Sequence, residues 1–287
     1  MLLKEPPLGK GWRAHVDGIG RLLSLRGPQK HISSDAFVIF SGCRKMQFGL
    51  CFGYRKASSL ESVEWSSIPG MGEEKVLKER LHDVLMPIPG LLERFDSTEE
   101  SSHEERQCVL QELVLAYQRL RNWKAELDIQ LFGIDGYSSP ESLLRFGISA
   151  VDSVLLYWSV CVVLYTTIKT MQARHPFNSA CHFKDDVFIS PDPDANWRNI
   201  LKFIRYFIRP EAGLAGFTNV LTPVGILCRF CAPSDKRCKE ELLKEINTLL
   251  DVNISGQLGQ VMGGLLLRMS KYIDTLQAGG TNSRIPT

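Results

Sequence analysis

A chain of 287 residues, 44% hydrophobic and 23% charged, is long enough to bury one or two packed cores. Its 34 Lys and Arg nearly balance its 32 Asp and Glu, for a formal charge of +2. Sequence-independent affinity for phosphate needs a net basic surface, so direct nucleic-acid binding is not expected.

The first twelve residues, MLLKEPPLGKGW, contain no apolar stretch followed by a small-residue cleavage site, and an intracellular protein is expected, nucleus and cytoplasm not being distinguished. The one long apolar run, Val154 to Ile168, is shorter than the ~20 residues that cross a bilayer, so it reads as a buried helix without membrane insertion. Eight cysteines are spread along the chain. Cys43, Cys108 and Cys161 lie inside apolar stretches, which points to reduced core thiols.

In chain order, His15 falls three residues after Trp12 and four before Ile19, on one side of a first helix. Arg26-Gly27-Pro28 ends that helix, with the charge favouring the dipole and the glycine free to take a left-handed cap. Leu77, Leu81, Val84 and Ile88 form a helical face before Pro89. The clearest segment runs from Glu104 to Phe132, where Val109, Leu113, Ala116, Leu120, Trp123 and Leu127 make one stripe behind a Ser102/Glu105 capping box. Ser139-Pro140-Glu141 opens a helix continuing from Leu143 to about Ala173, apolar all round and therefore enclosed by others. Asp194 and Ser234 cap two more starts, and Leu258, Met262, Leu265, Met269 and Ile273 line a last face.

Strand patterns bounded by tight turns are nearly absent, with Val187-Phe188-Ile189 the one short candidate. The expectation is an all-α fold: one bundle-like domain of about eight to ten helices over residues 1–278, then a flexible tail over 279–287.

Motifs for standard chemistry are missing. Gly18-Ile19-Gly20 lacks the third glycine and the preceding strand of a dinucleotide site, and there is no P-loop, nucleophile elbow or zinc-spaced histidine pair. Cys228, Cys231 and Cys238 have a C-x2-C-x6-C spacing, but no fourth N or S ligand follows, so core thiols are the preferred reading and neither metal nor cofactor is expected. Asp152 and Arg145 flank the central apolar helix, where an aspartate must pair with a cation or stay protonated. Trp123, Tyr157, Trp158, Phe203 and Tyr206 fall on helices and could line an apolar pocket for a hydrophobic small molecule.

His15 to Pro28, reading H-x-x-G-x-x-x-L-L-x-x-R-G-P, resembles a segment of the regulatory domain of fungal zinc-cluster transcription factors. Ala36 to Arg44 is similar to the next helix of that family, Trp65 to Pro69 to its W-x-x-x-P step, Pro89 to Leu92 to its P-G-L-L helix, and Leu120 to Trp123 to its L-x-x-W position. The resemblance implies an all-α regulatory domain that usually follows a six-cysteine zinc cluster. No such cluster is present in this sequence, so the family's DNA reading does not carry over.

The resulting expectation is a transcription-factor-like regulator or metabolite sensor of fungal secondary metabolism, acting through a small molecule, a second copy or a regulatory protein partner. The alternative is a cofactor-independent cyclase or isomerase, in which preorganisation alone can supply ~7–11 kcal/mol of a barrier. Its catalytic candidates are His15, Asp152 and Tyr206, with Tyr157, Trp158 and Trp123 lining the ligand site. A degenerate copy of a longer factor is the third reading.

Overall fold

The computed structural model describes residues 7–68, 75–133, 140–175 and 193–207, together with Pro223, Glu240 and Lys244. The fold is all-α, with no strand among the described residues. These residues hold seven helices of nine or more residues, fewer than the eight to ten expected. The chain divides into two compact units, Met1–Ile134 and Asp135–Pro286.

The first unit begins with α1 (Pro7–Arg26), a 3-10 turn (Pro28–His31) and α2 (Ser34–Tyr54). The buried face of α1 is Val16, Gly20 and Leu23, while His15 is exposed and Ile19 half-buried. His15 thus lies off the buried side on which it was expected, and Ile19 lies at its edge. Gly20 faces α2. A Cβ at Gly20 would collide with the Gln47 amide, which donates to the Val16 carbonyl.

Gly27 ends α1 at φ 78°, ψ 155°, and its N–H donates to the Leu23 carbonyl at 2.9 Å. The expected left-handed cap is thus replaced by an extended conformation at positive φ, a region that is essentially glycine-only. Gly27→Ala is expected to lose about 1–3 kcal/mol of stability by thermal unfolding. An unchanged transition would show that the turn relaxes elsewhere.

The short α3 (Val63–Ser66) buries Trp65. The face read as Leu77 to Ile88 is split between α4 (Leu77–Leu85) and α5 (Ile88–Asp96). Pro89 lies in the first turn of α5, where its missing N–H breaks no helical bond. Helices α4 and α5 both pack on α6 (His103–Phe132) and on α2.

The whole α6 stripe from Val109 to Leu127 is buried. Its capping box is formed: Ser102 Oγ accepts from the Glu105 N–H at 3.2 Å, and Glu105 Oε2 accepts from the Ser102 N–H at 3.0 Å. Ser102→Ala is expected to cost about 1 kcal/mol, read as a fall in the urea midpoint. Cys108 lies on the exposed side of α6, not in the core as expected, whereas Cys161 is buried.

The second unit contains the short α7 (Pro140–Leu143), a 3-10 turn (Leu144–Phe146), α8 (Ile148–Arg174) and α9 (Pro193–Phe207). The helix expected to run unbroken from Leu143 is interrupted at Gly147, which takes φ 83° and begins α8. The proposed Ser139 cap lies outside the described residues, as do the Asp194 side chain, the Ser234 and Leu258 segments, the Val187 piece and the tail.

Val151 to Leu164 is buried on nearly every side of α8 apart from Leu156. Its hydroxyls bond back to their own helix, Ser153 to the Ser149 carbonyl at 2.9 Å and Ser159 to Leu155 at 2.7 Å, so they enter an apolar interior without orphaned groups. Ser149–Arg174 is long and apolar enough to cross a membrane, and most of it is buried within the protein.

Candidate functional site

The densest set of buried polar groups in the first unit lies between α2 and α4. On α2, Ser41 and Arg44 are three residues apart and share a face. On α4, Glu79, His82 and Asp83 repeat that spacing. The two helices pack together and bring the faces into register. Ser41 Oγ donates to Glu79 Oε1 at 2.6 Å, and Arg44 Nη2 donates to Asp83 Oδ1 at 2.6 Å. The second Asp83 oxygen accepts from Lys75 Nζ at 2.7 Å, and the same ammonium donates to the Ser66 carbonyl at the end of α3. Asp83 therefore ties α2 to the segment entering α4.

This seam is deep. Arg44 and His82 are each only 2% exposed. Burial, reinforced by the charges of Arg44, Lys45 and Lys78, pushes the His82 pKa down to about 3, so the imidazole is neutral near neutral pH. Arg44 Nε, Glu79 Oε2 and His82 Nδ1 have no hydrogen-bond partner. Such atoms are exceptions in folded proteins, because each carries its desolvation cost without compensation.

A ring cluster adjoins the seam. His31, Phe40 and Trp65 lie with centroids 5.4 to 5.8 Å apart, and the Arg44 guanidinium sits 5.7 Å from the Phe40 centroid. Neither ring nitrogen of His31 has a hydrogen-bond partner of good geometry. Burial lowers its pKa, with the Arg26 charge adding to the effect and the Ala36 backbone opposing it.

Two adjoining depressions open at the exposed edge of the seam. One, of about 440 Å³, is lined by Ser66, Lys75, Arg80 and Asp83. The other, of about 560 Å³, runs between α4 and α6 and is lined by Lys75, Val76, Leu77, Arg80, Glu126, Ile129 and Gln130. Lys75 and Arg80 belong to both. Arg80 reaches across to Glu126 at 2.6 Å, and both side chains are about half exposed. Beneath this groove, Trp123 Nε1 donates to the Leu77 carbonyl at 2.7 Å and fixes the start of α4 on α6.

The polar groups of the seam are engaged with one another, and Ser41 donates to the Glu79 carboxylate and not to an imidazole. Among the described residues, no three of His, Cys, Asp or Glu are placed to hold a metal ion, and Cys228, Cys231 and Cys238 lie outside those residues.

The residues singled out by the sequence fall in different places. His15 is on the exposed side of α1, and Trp123 is buried under the groove of the first unit. Asp152, Tyr157 and Trp158 are all buried on α8 of the second unit. At about 100° per residue, Tyr157 and Trp158 point roughly 140° and 120° away from Asp152 on opposite sides of the helix. The three therefore do not share one face. Trp158 packs on Phe203 of α9, with centroids 5.2 Å apart. Tyr206 is on α9, and its side chain lies outside the described residues.

No residue of the α2–α4 seam is singled out by the sequence pattern. The available signal was the i, i+3, i+4 recurrence of Glu79, His82 and Asp83, which also fits a solvated helix face. The chain matches no protein-family model, no curated protein and no solved structure.

Proposed function

We propose that this chain is a helical regulatory protein, similar to the regulatory domain of fungal zinc-cluster transcription factors but acting without that family's DNA-binding element. In this reading it senses a small molecule in fungal secondary metabolism, and a second copy or a regulatory protein carries the response.

One observation supports the reading: each of the five segments buries at least one apolar position in the first unit, Leu23, Ala36, Trp65, Leu91 and Leu120 among them, while His15, Leu22 and Arg26 of the first segment are exposed. Gly27 of the first segment takes the glycine-only turn. Phe40 and Trp65 stack with centroids 5.5 Å apart, Leu91 and Leu92 are buried on α5, and Leu120 and Trp123 anchor α6. The groove beside this core supplies a place for a ligand.

The test is to fuse the full chain to a heterologous DNA-binding domain and measure a reporter with and without fungal metabolite extract. A severalfold, extract-dependent change in reporter output is expected. A silent fusion, together with conversion of a metabolite to an isomer of equal mass by the purified chain, would replace this reading with the cyclase.

A further inference from the structure

The groove between α4 and α6 has a surplus of hydrogen-bond donors and an apolar wall beside them. Lys75 has three N–H donors, of which two are engaged, by the Ser66 carbonyl and by Asp83. Arg80 has five, with one ion-pair contact, to Glu126. Of the carboxylates that line the depressions, Asp83 has both oxygens taken by Arg44 and Lys75, and Glu126 pairs with Arg80. Both cations line both depressions. Arg80 and Glu126 are about half exposed, and an ion pair in that setting is weak enough to exchange for a better acceptor.

The rest of the groove is chemically different. Val76 is 63% exposed and Ile129 is 54% exposed, and both line the same depression as the two cations. Apolar side chains left in water within a concave surface, next to solvent-exposed cationic donors, match a ligand with a charged head and an apolar body.

We infer that this groove binds an anionic amphiphile: a carboxylate held by Lys75 and Arg80, with its apolar chain along Val76 and Ile129. The inference rests on the sensor reading and names the class of molecule sensed. The carboxylate takes the spare guanidinium donors in a bidentate contact, the geometry that an arginine fork favours over a lysine. The chain covers the two exposed aliphatic residues and removes them from water.

The experiment is calorimetric titration of the full-length protein with sodium octanoate, octanol, octyltrimethylammonium and sodium acetate at pH 7. Saturable one-to-one binding of octanoate is expected, with octanol and acetate each at least about tenfold weaker, because each lacks one half of the recognition, and with no binding of the cation. Arg80→Gln is expected to weaken octanoate about tenfold and leave octanol unchanged, whereas Ile129→Gln should weaken both. Both positions are about half exposed, so the variants keep the fold, checked by their circular dichroism.

Equal affinity for octanoate and octanol, non-saturable uptake, or full octanoate affinity in Arg80→Gln would overturn the assignment. Failure here with an active reporter fusion would remove the amphiphile and leave the regulator. Octanoate binding with a silent fusion would do the reverse.

Discussion

Asp83→Ala is expected to destabilise the first unit by about 3–5 kcal/mol, the usual cost of removing one partner from a buried ion pair. Arg44 is 2% exposed, and it pairs with the Asp83 carboxylate at 2.6 Å. Its Nε already has no partner. Truncation at Asp83 leaves a cation that cannot lose its proton and has little access to water. Lys75, at 16% exposure, loses the same anion but keeps the Ser66 carbonyl.

Asp83→Asn should cost less, about 1–3 kcal/mol, since an amide oxygen still accepts from Arg44 without the charge. Combining Asp83→Ala with Arg44→Met should recover much of the loss, because the uncompensated charge is gone and methionine fills an irregular space. Amide hydrogen exchange of α2 and α4 measures these differences within the first unit. A loss below about 1 kcal/mol in Asp83→Ala would mean that water reaches Arg44 and that the seam is not closed.

The residues that make this seam show why part of the molecule was legible and part was not. The α6 stripe and its Ser102 cap depend on spacing within one helix, so the sequence carries them directly. Arg44 and His82 depend on which helix lies opposite. A charged residue on an amphipathic helix belongs to the wet side by default, and only the α2–α4 crossing puts these two in the core. The α1 face shows the converse failure. His15 sits three residues from Trp12 and four from Ile19 in the sequence, but the buried side centres on Val16, Gly20 and Leu23 and leaves the imidazole exposed. The break before α8 was hidden for a related reason: Gly147 sits in a run that otherwise continues helical spacing, and a lone glycine is tolerated in such a run. For the binding groove, Val76, Arg80, Glu126 and Ile129 come from two helices far apart in sequence, so no local pattern joins them.

His82 should make the first unit sensitive to mild acid. Its folded pKa is pushed below the ordinary 6.5 to about 3, chiefly by burial and then by Arg44, Lys45 and Lys78. The unfolded chain therefore binds a proton at a pH where the folded chain does not, and stability rises with pH across that interval. The contribution is fully present above pH 6.5 and is lost as the pH falls toward 3. The slope is about 1.4 kcal/mol per pH unit, or about 2 kcal/mol between pH 6.5 and 5. The pH 5 limit keeps the measurement above the depressed carboxylates Glu93 and Glu112, whose own losses begin in stronger acid.

His82→Leu is the comparison. It replaces a buried ring whose Nδ1 has no partner with an apolar side chain, so it should be close to neutral in stability at pH 7. Its stability should then hardly change down to pH 5, apart from the smaller slope left by His31, whose pKa is lowered in the same direction. The two proteins are expected to be similar in urea at pH 7 and to separate by about 2 kcal/mol at pH 5, with the leucine variant the more stable. Parallel profiles for the two would place His82 in contact with water and reassign the acid sensitivity to His31.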